Sequence, residues 1–196
     1  WMRTYGYYYK GWFGIAAIAV VAVLAFVFMM RYDGADLRLY VVTEDAIDDE
    51  AYYNFLKNVE TYVTDVDGDN SKIMRQYHYT LKETGRSEKL SELPEKAASD
   101  ECIGFVVDEA GYEHVKSLCA LRELSFFEIQ SDDDDPYRLT LNDTALMRDT
   151  GMDGGTTYYL VMKYFENSEY QNVYLSGHTD ILVGMARNND RSEDND

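Results

Sequence analysis

The chain predicts an α/β fold: an N-terminal transmembrane helix followed by an α/β sandwich with a mixed, mostly parallel sheet. Three observations lead there. Residues 11–30 carry no charge over twenty consecutive positions, and a helix of that length covers the roughly 30 Å of a bilayer's hydrocarbon core. The rest of the chain alternates short β-branched runs with stretches whose apolar residues recur every three or four positions, as strands interleaved with helices do. One run, 102–107, is apolar almost throughout, as suits a strand covered on both faces.

Ten of the twenty side chains in 11–30 are Leu, Ile, Val or Phe, and together they favour insertion by roughly 3–6 kcal/mol. A cleaved secretory signal is the competing reading. Such a signal has an apolar core of about 7–15 residues and a small-residue cleavage site, whereas this run is longer and ends in Phe28, Met29 and Met30. Tyr5, Tyr7, Tyr8, Tyr9, Trp12 and Phe13 on one side and Tyr32 on the other are placed as interfacial aromatic belts. Residues 1–10 are therefore expected as a juxtamembrane segment and 11–31 as a transmembrane helix in contact with membrane lipid. Residues 36–187 form the expected extracytoplasmic domain, and 188–196 a disordered acidic tail. Arg3 and Lys10 before the span nearly balance Arg31 and Arg38 after it. A long following domain translocates largely regardless of charge, so the expected placement is single-pass in the plasma membrane, N-terminus inside and domain outside.

All 36 acidic residues and all but two of the 18 basic ones follow residue 11, so that part carries a net charge of −20. Such a field repels nucleic acid and anionic lipid; no nucleic-acid partner is expected.

Residues 36–42 alternate and become β-branched, which predicts the first strand. Glu44, Asp45, Asp48, Asp49 and Glu50 then complement the dipole of a helix start. Ala51, Tyr52, Phe55, Leu56, Val59, Tyr62 and Val63 form its apolar stripe, the clearest helical period in the domain. Residues 73–81 predict a second strand, 82–100 a loop with a short helix, and 102–107 a buried strand. A helix over 110–120 and strands over 124–129, 137–141 and 156–165 follow. Tyr174, Leu175, His178, Ile181, Leu182 and Met185 predict a last helix, which Gly177 and Gly184 weaken by about 1 kcal/mol each.

The sharpest chemical motif is Asp65-Val66-Asp67-Gly68-Asp69. Carboxylates at alternate positions of a tight turn are what a calcium loop uses at its positions 1, 3 and 5. Asn70 replaces the glycine of such loops and Gln76 the bidentate glutamate, so a plain helix-to-strand turn competes with a weak calcium site at Asp65, Asp67 and Asp69. No other cofactor is expected. Asp132–Asp135 reads as a solvated charged loop. Cys102 and Cys119 are too few for a metal site, and they stand at the two ends of a strand–helix unit. A disulfide between them and a pair of buried thiols are equally open readings. His78, His114 and His178 have no ligand spacing, and no nucleophile elbow, phosphate loop or Cys-x-x-Cys is present.

The order YGYYYKGW, DLRLYVVTED, DVDGDNSKI, CIGFVVDEAG and TYYLVMKYF resembles uncharacterised single-span proteins of clostridial-type Gram-positive bacteria. Their small extracytoplasmic α/β domains look like a truncated half of a periplasmic solute-binding protein. The resemblance implies a ligand-binding ancestry. The expected function is a membrane-anchored extracytoplasmic binding or interaction module without catalysis, for a protein partner or small solute. A calcium-stabilised cell-envelope domain is the alternative, and a hydrolase the third reading.

Overall fold

The computed structural model describes residues 15–24, 34–82, 88–132, 134–152, 154–166 and 173–187. The chain divides into two compact units, Trp1–Gly34 and Ala35–Asp196. The first contains helix α1, residues 15–24, whose side chains are exposed. Among the described residues no helix is long and apolar enough to cross a membrane. The remainder of the expected span, 11–14 and 25–31, lies outside the described residues, as do the juxtamembrane segment 1–10 and the tail 188–196.

The second unit runs β1 (Leu37–Thr43), α2 (Asp49–Glu60), β2 (Met74–Thr80), α3 (Leu93–Ala98), β3 (Gly104–Val107), α4 (Glu109–Leu118), β4 (Leu121–Arg122), β5 (Arg138–Thr140), β6 (Tyr159–Lys163) and α5 (Val173–Arg187). The strands form one sheet in the order β2-β1-β3-β6-β4, with β5 also pairing β6. β1 is parallel to β2 and β3, while β6 is antiparallel to β3, β4 and β5. Five strands therefore share one direction and β6 alone opposes them, so the sheet is mixed and mostly parallel as the sequence predicts.

β1 is buried along its whole length, and its alternating side chains feed two cores. Leu37, Leu39 and Val41 pack with Phe55, Leu56 and Val59 of α2 and Ile181, Leu182 and Met185 of α5. Tyr40 and Val42 pack on the other face with Leu93 and Ala97 of α3 and Tyr112 and Val115 of α4. The unit is thus a three-layer α/β/α sandwich, each face closed by two helices. Asp48 caps α2, its carboxylate accepting the N–H groups of Glu50 at 3.0 Å and Ala51 at 3.2 Å, two of the amide donors that a helix start leaves without an intrahelical partner.

One predicted strand is corrected. Residues 124–129 form not a strand but a 3-10 turn, Leu124–Phe127, closed by Glu128 in the left-handed region at φ 56°. Leu124 and Phe127 are both buried, and a three-residue spacing puts them on one side of a 3-10 turn. The ladder position falls instead to Leu121–Arg122, opposite Lys163 and Met162.

The two glycines of α5 differ in a way their sequence does not show. A Cβ on Gly177 would stand 2.4 Å from a methyl carbon of Val66, whereas one on Gly184 meets nothing within 4 Å. Gly184→Ala is expected to stabilise the domain by roughly 0.5–1 kcal/mol through helix propensity alone. Gly177→Ala is expected to destabilise it through overpacking, by about 1–3 kcal/mol. Urea unfolding of both variants checks the pair, and equal effects of the same sign would contradict the packing of α5 on the 66 loop.

Candidate functional site

β1 lies between β2 and β3, so the chain leaves β1 toward α2 on one face and leaves β3 toward α4 on the other. The loops diverge there, and a crevice opens outside the carboxyl ends of the two strands, the position where open α/β sheets bind ligands. A cavity of about 390 Å³ occupies it, lined by residues 44–46, 108–110 and 155–159, within the volume range of small-molecule sites.

Asp108 builds the floor. It is buried, and its Oδ2 accepts the backbone N–H of Glu44 at 2.7 Å while its Oδ1 accepts that of Gly111 at 2.8 Å. One carboxylate therefore caps α4 and holds the end of β1 against it. The approach is so close that a Cβ on Gly111 would lie 2.0 Å from the carbonyl oxygen of Val42, which no other residue type accommodates.

Two walls are acidic, and each carries a cation. The ladder between β1 and β2 continues past the strands, with Leu81 N–H donating to Thr43 C=O at 2.8 Å and Lys82 N–H to Glu44 C=O at 3.1 Å. That fixes the Lys82 backbone beside the acids, and its Nζ lies 2.8 Å from Asp45 Oδ2 and 3.1 Å from Glu44 Oε1. Hydrogen bonds to Asp45 and then Glu44 raise the Lys82 pKa. On the opposite wall one guanidinium nitrogen of Arg138 donates to both oxygens of Glu109, at 3.1 and 2.9 Å. The guanidinium lies 4.4 Å from the ring centroid of Tyr159 and 5.2 Å from that of Tyr112, a cation–π placement. Burial raises the Tyr159 pKa, and the hydrogen bond its hydroxyl gives to Glu109 raises it further. The third wall is pinned by Asn142, whose side chain donates to Thr156 C=O and accepts Tyr158 N–H, both at 2.7 Å.

Behind the first wall stands His78. The Thr43 hydroxyl donates its single hydrogen to Asp45 C=O at 2.7 Å, so at 3.0 Å from His78 Nε2 it acts as acceptor and the imidazole carries its proton there. This bond ties β2 to the loop that presents Glu44 and Asp45.

The expected charged loop is built differently from a solvated run. Asp132 accepts both the N–H and the hydroxyl of Thr140, at 2.9 and 2.8 Å. Asp135 accepts the Tyr112 hydroxyl at 2.7 Å and Tyr137 N–H at 3.0 Å. Burial works to raise the Asp135 pKa, but these two donors, with Lys116 and Arg138, hold it below the usual carboxylate value. The loop folds around Arg138 and so supports the Glu109 wall.

The calcium motif is only partly assembled. Asp65, Asp67 and Asp36 each bring one carboxylate oxygen within 4.8 Å of the others, so Asp36 takes the place expected for Asp69. Asp69 faces Ser71, accepting its N–H at 2.7 Å. The carboxylates serve the chain's own amides: Asp65 accepts from Gly68 and Asn70, and buried Asp36 from Val66 and Ile73. Asn70 adopts φ 66°, the left-handed conformation that asparagine tolerates. Both cysteines are free. Cys102 is buried and Cys119 half-buried, and both pack in the core on the α3–α4 face of the sheet.

The crevice residues were not read as a site in the sequence. Glu44 and Asp45 look there like helix-dipole acids, and Glu109, Lys82, Arg138 and Thr156 carry no motif. The signal present is the repeated pattern of a Val-Val strand end followed by acids, VVTED and VVDE. Comparison of the chain with protein-family models, curated proteins and solved structures found no match; the functional reading rests on the crevice itself.

Burial lowers the His78 pKa, so the folded chain binds this proton less readily than the unfolded chain does. His78 therefore contributes its stability fully above the unfolded value near pH 6.5 and loses it as pH falls toward the folded value. The unfolding free energy of wild type relative to His78→Gln is expected to drop between pH 7.5 and 5 in urea titrations. A difference independent of pH would show that the imidazole is not buried in its neutral form.

Proposed function

We propose that the domain is a non-catalytic binding module whose ligand, a small solute, enters the crevice at the carboxyl ends of β1 and β3. The observation that carries this reading is the 390 Å³ cavity at the strand crossover, walled by Glu44, Asp45 and Glu109. Binding chemistry is abundant there and reaction chemistry is not. Asp108 has both oxygens engaged by amide donors, Glu109 is held by a guanidinium, and the described lining includes no His, Cys, Ser or Lys. A general base needs a group poised to take a proton, and an acid saturated by donors is a poor one.

Residues 11–30 would tether this module to a membrane, with the domain on the outer side. Their uncharged sequence supports this, and the helical state of residues 15–24 is consistent with it.

Two experiments test these readings. A solute screen followed by amide NMR on the full chain is expected to move the resonances of Glu44, Glu109 and Thr156 together. If bound solutes perturb other regions only, the crevice is not the site. Protease added to intact cells is expected to digest the domain, and truncation of residues 1–33 to release it from the membrane fraction. Protection of the domain, or membrane retention after truncation, would overturn the tether and its orientation.

A further inference from the structure

Two positively charged groups of the chain pair with acids that line the crevice, and they are held in different ways. Arg138 is only 14% exposed and belongs to the wall, wedged between Glu109, Asp134 and the rings of Tyr159 and Tyr112. The Lys82 side chain is 50% exposed, and its ammonium bridges Glu44 and Asp45 at the mouth. The backbone bonds of Leu81 and Lys82 to β1 and its following loop do not involve that side chain. Rotation of the lysine side chain alone therefore vacates the two carboxylates and leaves the ladder intact.

We infer that the crevice takes a small organic cation, a primary ammonium or guanidinium solute, and that Lys82 is a tethered competitor which this ligand displaces from Glu44 and Asp45. The inference rests on the crevice reading above and adds the ligand class. The Lys82 ammonium sitting on Asp45 and Glu44 shows the geometry in which such a group is accepted. Thr156 and Thr157 line the same cavity, and threonine hydroxyls are acceptors for the remaining N–H groups of a cation with several donors. A domain charge of −20 concentrates cations at its surface and turns anionic solutes away. A tethered competitor tunes affinity: the ligand must replace an ion pair that the apo chain already makes, and a solute without a charge gains nothing from the exchange.

Calorimetry on the full chain at low salt, with 1,4-diaminobutane as probe and glucose and glutarate as neutral and anionic comparisons, tests this. Glu44 and Asp45 direct their carboxylates at Lys82, and the Asp108 joint uses only the Glu44 backbone, so Glu44→Gln/Asp45→Asn leaves that joint in place and is expected to fold. Wild type is expected to bind the diamine in preference to the other two. Lys82→Met is expected to bind it roughly 2- to 5-fold more tightly, the scale of an exposed ion pair. Glu44→Gln/Asp45→Asn should bind it at least about tenfold more weakly, and Glu60→Gln, exposed at the far end of α2, should bind as wild type does. A Lys82→Met affinity equal to or below wild type overturns the tethered competitor. A Glu60→Gln loss as large as that of the double variant overturns the site in favour of a diffuse charge effect. Glucose or glutarate binding at the crevice while the diamine does not overturns the ligand class and leaves the crevice reading standing. Failure of all three probes and of the wider solute screen removes both.

Discussion

One buried carboxylate joins the two halves of this domain. Asp108 accepts the last amide at the β1 end and the capping amide of α4 at once, and Gly111 lets the helix start come down on the Val42 carbonyl. A hydrogen bond to a charged acceptor contributes about 1.5–3 kcal/mol, and more is lost when a buried partner is left unpaired. The crevice exists because this joint keeps the two loops together at their roots while their helices depart to opposite faces of the sheet. The sheet order sets that divergence, and the acidic walls and the position of Lys82 follow from it.

The acidity of the domain looks in composition like a solvated coating, and much of it is structural. Asp36, Asp48, Asp65, Asp108, Asp132 and Asp135 each accept at least one backbone N–H. In a chain with few prolines and many short connections, carboxylates close turns and cap helices that would otherwise leave amide donors unpaired. The basic residues are placed with equal economy. Arg138 anchors the acidic loop, and Lys163, nearly buried, donates to the Ser99 carbonyl. At the crevice, Glu44 and Asp45 share one exposed lysine.

Most elements were legible in the sequence because their signal is local. The stripe Ala51, Phe55, Leu56, Val59 became α2, the uniform run 102–107 became a strand buried on both faces, and the strand expected over 156–165 was found as Tyr159–Lys163. The 124–129 segment failed because a short apolar run does not separate a strand from a 3-10 turn. A strand and the helix after it look like neighbours in sequence, but β6 enters from fifty residues away and takes the place beside β3. Asp36 was missed as a partner of Asp65 and Asp67 because it stands at the head of a strand, thirty residues before the turn whose amides it binds.

The sequence by itself determined the fold class, the two-faced burial of the sheet and the turn chemistry of residues 65–70. Each of these depends on periodicity, composition or contacts between near neighbours in the chain. Only the tertiary structure decided which acids face a common cavity, that Lys82 and Arg138 sit upon them, and that Gly177 is packed while Gly184 is open. Those facts depend on which strands become neighbours, and strand neighbours are chosen by the burial of whole faces rather than by any single stretch of residues.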